Sequence, residues 1–97
     1  MYNYPTYMEF FRFYLRMNRK EFARALNEQQ EIAMYWDAEL ILYLEKKFNK
    51  LSYRRRREIL KFLLLKCPDI VPSYFNIWLL DKPVRLENPN EDEHYLL

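Results

Sequence analysis

Covalent chemistry has few footholds in this 97-residue chain, which contains one histidine, one cysteine and no glycine. Cys67 closes an apolar run and His94 lies in an acidic C-terminal stretch. A thiol–imidazole pair would need that stretch to fold back over the domain. No combination of residues has zinc-ligand spacing. The acid pairs Glu28/Glu31 and Asp37/Glu39 fall on helical patterns, where they read as solvated surface and cap residues. Phosphate-cradling loops, the dinucleotide fingerprint and the nucleophile elbow all need glycine for positive φ or close backbone approach. The sequence therefore predicts a non-enzymatic protein with no cofactor, no metal site and no small-molecule substrate.

What remains is charge. Residues 46–66 carry nine Lys/Arg and a single acid, Glu58. Four consecutive arginines, Arg54, Arg55, Arg56 and Arg57, follow Ser52, where a helix is expected to begin. Each positive charge in a first turn opposes the helix dipole by about 0.3–1 kcal/mol before screening. Folding alone gives no reason for them at this stage, so they mark a contact surface. Three readings stay open: a solvated face paired with the chain's own acids, a phosphate-backbone contact, or a nuclear-import signal or site for an acidic protein. The residues expected to touch a partner or nucleic acid are Lys46, Lys47, Lys50, Arg54, Arg55, Arg56, Arg57 and Lys61. No zinc-finger, RNA-recognition or basic-zipper motif accompanies them.

Net charge is only +2, yet it is sharply segregated along the chain. Residues 1–26 sum to +3, 27–45 to −5, 46–66 to +8 and 67–97 to −4. Alternating blocks favour pairing between complementary surfaces, within the chain or between chains. Apolar residues make up 51%, enough for a core, and aromatics 19%, more than so small a domain readily hides. Some aromatics should line an interface, which makes a protein partner or a homodimer the expectation. A lone cysteine permits no internal disulfide and fits a reducing compartment. No apolar run approaches the roughly 20 residues needed to span a bilayer. A soluble intracellular protein is the result, with no membrane partner.

The elements that must position these groups read as helices. Thr6 with Glu9, and Asn18 with Glu21, have capping-box spacing. The first helix should run to about Met17 with Tyr7, Phe10, Phe11, Tyr14 and Met17 on one face and Arg12 and Arg16 on the other. An interfacial membrane helix or a partner-binding face are the alternatives to a core helix here. A second helix is expected from Arg19 to about Tyr35, with a break near Asn27 left open and Gln29 read as solvent-exposed. Asp37 is a candidate N-cap for a third, carrying Leu40, Ile41, Leu44, Phe48 and Leu51. Ser52 caps a fourth, Tyr53 to about Cys67, with Leu60, Leu63, Leu64 and Cys67 on one face and Ile59 and Phe62 beside it. Pro68 ends it, and Ser73 caps a short helix, Tyr74 to Leu80. The expected fold is all-α, a small four- or five-helix bundle or orthogonal array over residues 1–85, with an acidic flexible tail at 86–97.

Residues Asp37 to Leu64, DAELILYLEKKFNKLSYRRRREILKFLL, resemble the BESS motif of insect chromatin and transcription proteins. Leu40, Ile41, Leu42 and Leu44 match its opening apolar run, Leu51 its later Leu, Ser52 its turn, and Ile59 and Leu63 its second helix. Tyr43 stands where the family often has Ser, and Lys46 where it often has Pro or Leu. The resemblance covers 28 of 97 residues and implies a dimerisation or protein-interaction hairpin in a nuclear protein. Leu40, Leu44, Phe48, Leu51, Ile59 and Leu63 would then form core or a dimer or partner seam. The functional expectation is a helical protein–protein interaction module. The alternatives are a nucleic-acid-binding protein using segment 46–66, or a small viral or phage protein that docks on a host factor.

Overall fold

Four side-chain N-caps set the element boundaries, each at the position its local sequence predicts. Thr6 caps α1 (Tyr7–Tyr14) and Asn18 caps α2 (Arg19–Asn27), both through full capping boxes with Glu9 and Glu21. Asp37 caps α3 (Ala38–Lys46) and Ser52 caps α4 (Tyr53–Lys66). The computed structural model describes residues 5–29, 34–47 and 50–84. Among them the chain is all-α, a small bundle with one added 3-10 turn at Ile77–Leu79. Phe48, Ile32, Ala33 and the acidic stretch 86–97 lie outside the described residues.

The C-terminal end of α1 shows how a chain without glycine ends a helix. Met17 N–H donates to the Arg12 carbonyl and Arg16 N–H to the Phe13 carbonyl, at 3.2 and 2.9 Å. This is the Schellman arrangement, which requires a left-handed residue just past the cap. Arg16 takes that role at φ 58°. Because the chain turns there, α1 stops at Tyr14, three residues short of the expected Met17.

α1 begins against the end of the described chain. Tyr7 and Met8 N–H groups, unsatisfied within the helix, donate to the Lys82 and Leu80 carbonyls. Val84 N–H returns a bond to Pro5, and Thr6 and Pro83 form an isolated antiparallel bridge. The expected helix from Tyr74 to Leu80 is reduced to the 3-10 turn, capped by Asn76 rather than Ser73. Just past the turn, the Leu80 and Lys82 carbonyls are held by α1 instead of continuing a helical ladder.

Around these ends one core assembles. Trp36, Phe11, Phe22, Phe62, Met8, Leu26, Ile41, Ile59, Leu63 and Leu80 are fully buried, and each large apolar side chain contributes about 1.5–3 kcal/mol. Phe22 of α2 meets Phe62 of α4 edge-on at 5.6 Å, and Phe75 contacts both Tyr7 and Phe11 edge-on. α3 packs mainly on α2, while α4 meets α2 and the 3-10 turn. The two arms from Asp37 to Cys67 are therefore not a closed hairpin; each has its main neighbour elsewhere.

Two buried faces are rotated from the expected ones, and each takes in an arginine. In α1 the core side is Met8, Phe11 and Arg12, leaving Phe10 and Tyr14 exposed. Arg12, expected at the surface, donates from Nε and Nη2 to Glu45 of α3 at 2.9 and 3.3 Å, and Arg19 adds a bond to the same carboxylate. In α4 the core side is Arg56, Ile59, Phe62 and Leu63, so Leu64 and Leu65 face solvent at 49% and 71% exposure.

The end of α2 is tied down by two amides, Asn27 and Gln29, the second of which was expected to face solvent. Asn27 Nδ2 donates to the Trp36 carbonyl and its Oδ1 accepts from the Trp36 N–H. Gln29 Nε2 donates to the Glu58 backbone carbonyl. These bonds fix the break after Asn27, which turns the chain from α2 toward Trp36 and α3.

Candidate interaction surface on the basic helix

Successive residues of an α-helix point about 100° apart, so four consecutive arginines face four directions. Arg56 points inward and is 2% exposed. Its Nη1 and Nη2 donate to the two carboxylate oxygens of Asp81 at 3.0 and 2.6 Å, its Nε to the Leu51 carbonyl and its Nη1 also to that of Ile77. Asp81 is fully buried. Arg56 is thus part of the fold and not a partner contact, because its guanidinium and the Asp81 carboxylate lie beneath the surface.

Arg55 lies along the chain rather than away from it. Its Nη1 donates to the Tyr35 carbonyl at 3.0 Å, and its guanidinium lies 4.5 Å from the ring centroid of buried Trp36. Burial pulls its pKa down, while nearby Glu58 and Asp37 push the other way. Glu58 in turn accepts from Trp36 Nε1 at 3.0 Å. The acidic block is met chiefly by α1 and α2 and not by the basic run: Glu45 pairs with Arg12 and Arg19, while Asp37 acts on Arg55 only at longer range.

Arg54 and Arg57 are left on the outer face of α4, both exposed. With Glu58, Leu60, Lys61 and Leu64 they line an open groove of about 380 Å³. At the N-terminal end of this strip Tyr53 stacks on Trp78, centroids 5.9 Å apart and planes 28° from parallel. Both rings are about half exposed, 51% each. Arg57 lies 5.8 Å from the Tyr53 ring, and Arg56 lies 4.6 Å from the Trp78 ring. From Tyr53 to Leu65 the strip spans about 18 Å of helix.

Of the remaining contact candidates, Lys46, Lys47 and Lys50 are exposed at and beyond the end of α3, away from this groove's lining, and Lys61 lies within it. The residues expected as a dimer or partner seam are placed differently. Leu44, Leu51, Ile59 and Leu63 are 0–3% exposed in the chain's own core, and Leu40 packs against it half-buried. No partner reaches the four buried ones. Their helical spacing marked burial correctly, and the core of the same chain takes them.

Tyr53, Trp78, Leu64 and Leu65 were missed as surface residues. Their signal was the aromatic excess, which said that some rings must be exposed without saying which. A second concavity, about 640 Å³, lies between α2 and α3 and includes Lys20, Arg24, Glu28, Asp37 and Glu39. Its charges are of both signs, which gives it no preference for a cation or an anion. Among the described residues no group of acids, cysteine or histidine has a metal-holding arrangement, and no helix is long and apolar enough to cross a membrane. Cys67 is buried, and burial raises its thiol pKa above the ordinary value.

No family model, curated protein or solved structure matches this chain. The function has to come from the surface itself.

Proposed function

We propose that the protein is a non-enzymatic helical interaction module that binds an acidic partner protein on the outer face of α4. The observation that carries this is the exposed Tyr53–Trp78 stack continued by Arg57, Arg54, Lys61 and Leu64. Trp, Tyr and Arg are the side chains that dominate binding energy at protein interfaces. Here they are held in place before any partner arrives, because Arg56 anchors Trp78 from below through Asp81 and the Ile77 carbonyl. Preorganisation of this kind lowers the entropy lost on binding. The resemblance of residues 37–64 to the BESS motif suggests the same class of function in a nuclear, chromatin-associated setting, but by another surface, since the seam it implies is taken by the chain's own core.

Nucleic-acid binding is the second reading, favoured by the basic residues along α4. Base stacking is disfavoured, since each ring of the pair already has the other ring and a guanidinium against it. Titration of isotope-labelled protein with poly-L-glutamate and with oligo-dT separates the two. The protein-binding reading expects shifts along Tyr53–Leu65 with the acidic polypeptide, abolished by Arg54→Glu/Arg57→Glu. Stronger binding of oligo-dT, with affinity falling steeply in salt, would replace it with the second reading. For self-association, light scattering at sub-millimolar concentration decides: a monomer excludes the homodimer.

A further inference from the structure

We infer that the partner element seated on α4 is an acidic amphipathic helix, a deepening that rests on the protein-binding reading above. Three features of the strip point to it. First, its apolar members Leu60 and Leu64 and its basic members Arg54, Arg57 and Lys61 recur at three- and four-residue spacing along one helix, with Leu65 four residues beyond Lys61. A partner with the same pitch places a side chain in each gap between them, as ridges fit grooves when two helices pack. An extended peptide repeats about every 6.8 Å on one face, which does not match the 5.4 Å turn.

Second, α4 has no main-chain groups to offer an extended ligand. Peptides that bind in extended form gain much of their affinity from backbone hydrogen bonds at a sheet edge. Among the described residues there is no sheet, and the α4 backbone is engaged in its own helical bonds. Recognition must come from side chains alone, which is the helix-in-groove mode.

Third, charge fixes the sign of the partner and excludes a symmetric one. The groove is lined by Arg54, Arg57 and Lys61 against a single acid, Glu58, while Arg55 and Arg56 are turned into the fold. A second copy docking α4 against α4 would set these charges against one another, a juxtaposition that costs several kcal/mol. An acidic helix meets Arg54, Arg57 and Lys61 with carboxylates while its apolar stripe covers Leu60, Leu64 and Leu65. The Tyr53–Trp78 stack then closes one end of the groove.

Two synthetic peptides of identical composition test this, measured by isothermal calorimetry on the full chain. One places leucines on a single helical stripe flanked by glutamates; the other scrambles the same residues so that no stripe forms. The expected result is binding of the striped peptide roughly tenfold tighter than the scramble, reduced about tenfold by Arg57→Glu and by Leu64→Glu. Circular dichroism melts confirm that these exposed-site variants fold, and Arg57→Gln provides the charge loss without reversal. Equal binding of both peptides, weakened alike by Arg57→Glu, overturns the helix and leaves an acidic partner of any conformation. If neither peptide binds, or oligo-dT binds more tightly than both, the protein-binding reading itself falls.

Discussion

Arg56 and Asp81 form a two-pronged ion pair across 25 residues of sequence, with side chains 3% and 0% exposed. The pair joins the first turn of α4 to the segment after the 3-10 turn, and Trp78 lies over the guanidinium. Removing one partner of a buried pair leaves the other charge stranded, at about 3–5 kcal/mol. Asp81→Ala should therefore lose about that much in urea unfolding, together with the near-ultraviolet dichroism of Trp78. Replacing both residues, as Arg56→Met/Asp81→Leu, should recover most of the stability, since an apolar pair of similar volume needs no desolvation. A double variant as unstable as Asp81→Ala would show that the bonds to Leu51 and Ile77 matter more than the charge pairing.

The four arginines give a graded series that no surface patch would give. Arg54→Ala and Arg57→Ala change only exposed positions and should stay within about 0.5 kcal/mol of the parent. Arg55→Ala removes one hydrogen bond and the cation over Trp36, and should cost about 1–2 kcal/mol. Arg56→Ala should be the most destabilising, as the counterpart of Asp81→Ala. Denaturant midpoints for the four variants read the order directly. Similar small effects at all four sites would sink the division between fold and surface drawn here.

The same contrast explains what could be read from the residues in order. Capping is local chemistry: Thr6 and Asn18, each with Glu three residues on, mark helix starts through full capping boxes, and Asp37 and Ser52 do so through their own side-chain oxygens alone. The apolar spacing likewise located most of the core. Arg12 with Glu45 and Arg56 with Asp81 were illegible because nothing near an arginine in sequence announces a carboxylate 33 or 25 residues away. In each case the buried face includes the arginine, and Leu64, Phe10 and Tyr14, expected inside, lie exposed. The candidate site suffered most from this. Its basic half was visible at once, while its aromatic half depends on Trp78 coming back to Tyr53 through the tertiary fold.

Arg16 offers a stabilising change. At φ 58° its Cβ crowds the backbone, a cost of roughly 1–2 kcal/mol that glycine does not carry. Glycine adds chain entropy to the unfolded state, which offsets part of that. Arg16→Gly is expected to raise unfolding stability by about 0.5–1 kcal/mol, and Arg16→Val to lower it, as measured by thermal melts. The order Gly above Arg above Val follows from the left-handed geometry alone. A melt in which Gly is no better than Arg would place the Arg16 side chain in an interaction worth as much as the strain.

Cys67 carries the pH dependence. Burial raises its thiol above the ordinary range, so at a given pH the folded protein holds less thiolate than the unfolded chain. The thiolate is the nucleophile, so labelling by a disulfide reagent should be much slower in the native protein than in urea. The linkage has a definite sign. Below the ordinary thiol pKa both states keep the proton and stability is unaffected. Above it the unfolded chain releases the proton first, so stability falls as pH rises toward and through the raised folded value. Cys67→Ala removes this contribution, and the urea midpoint of the parent should drop more steeply than that of the variant between neutral and alkaline pH. Parallel slopes for the two proteins, or native labelling as fast as in urea, would mean that the thiol is open to solvent and not held in the core between α4 and Val71.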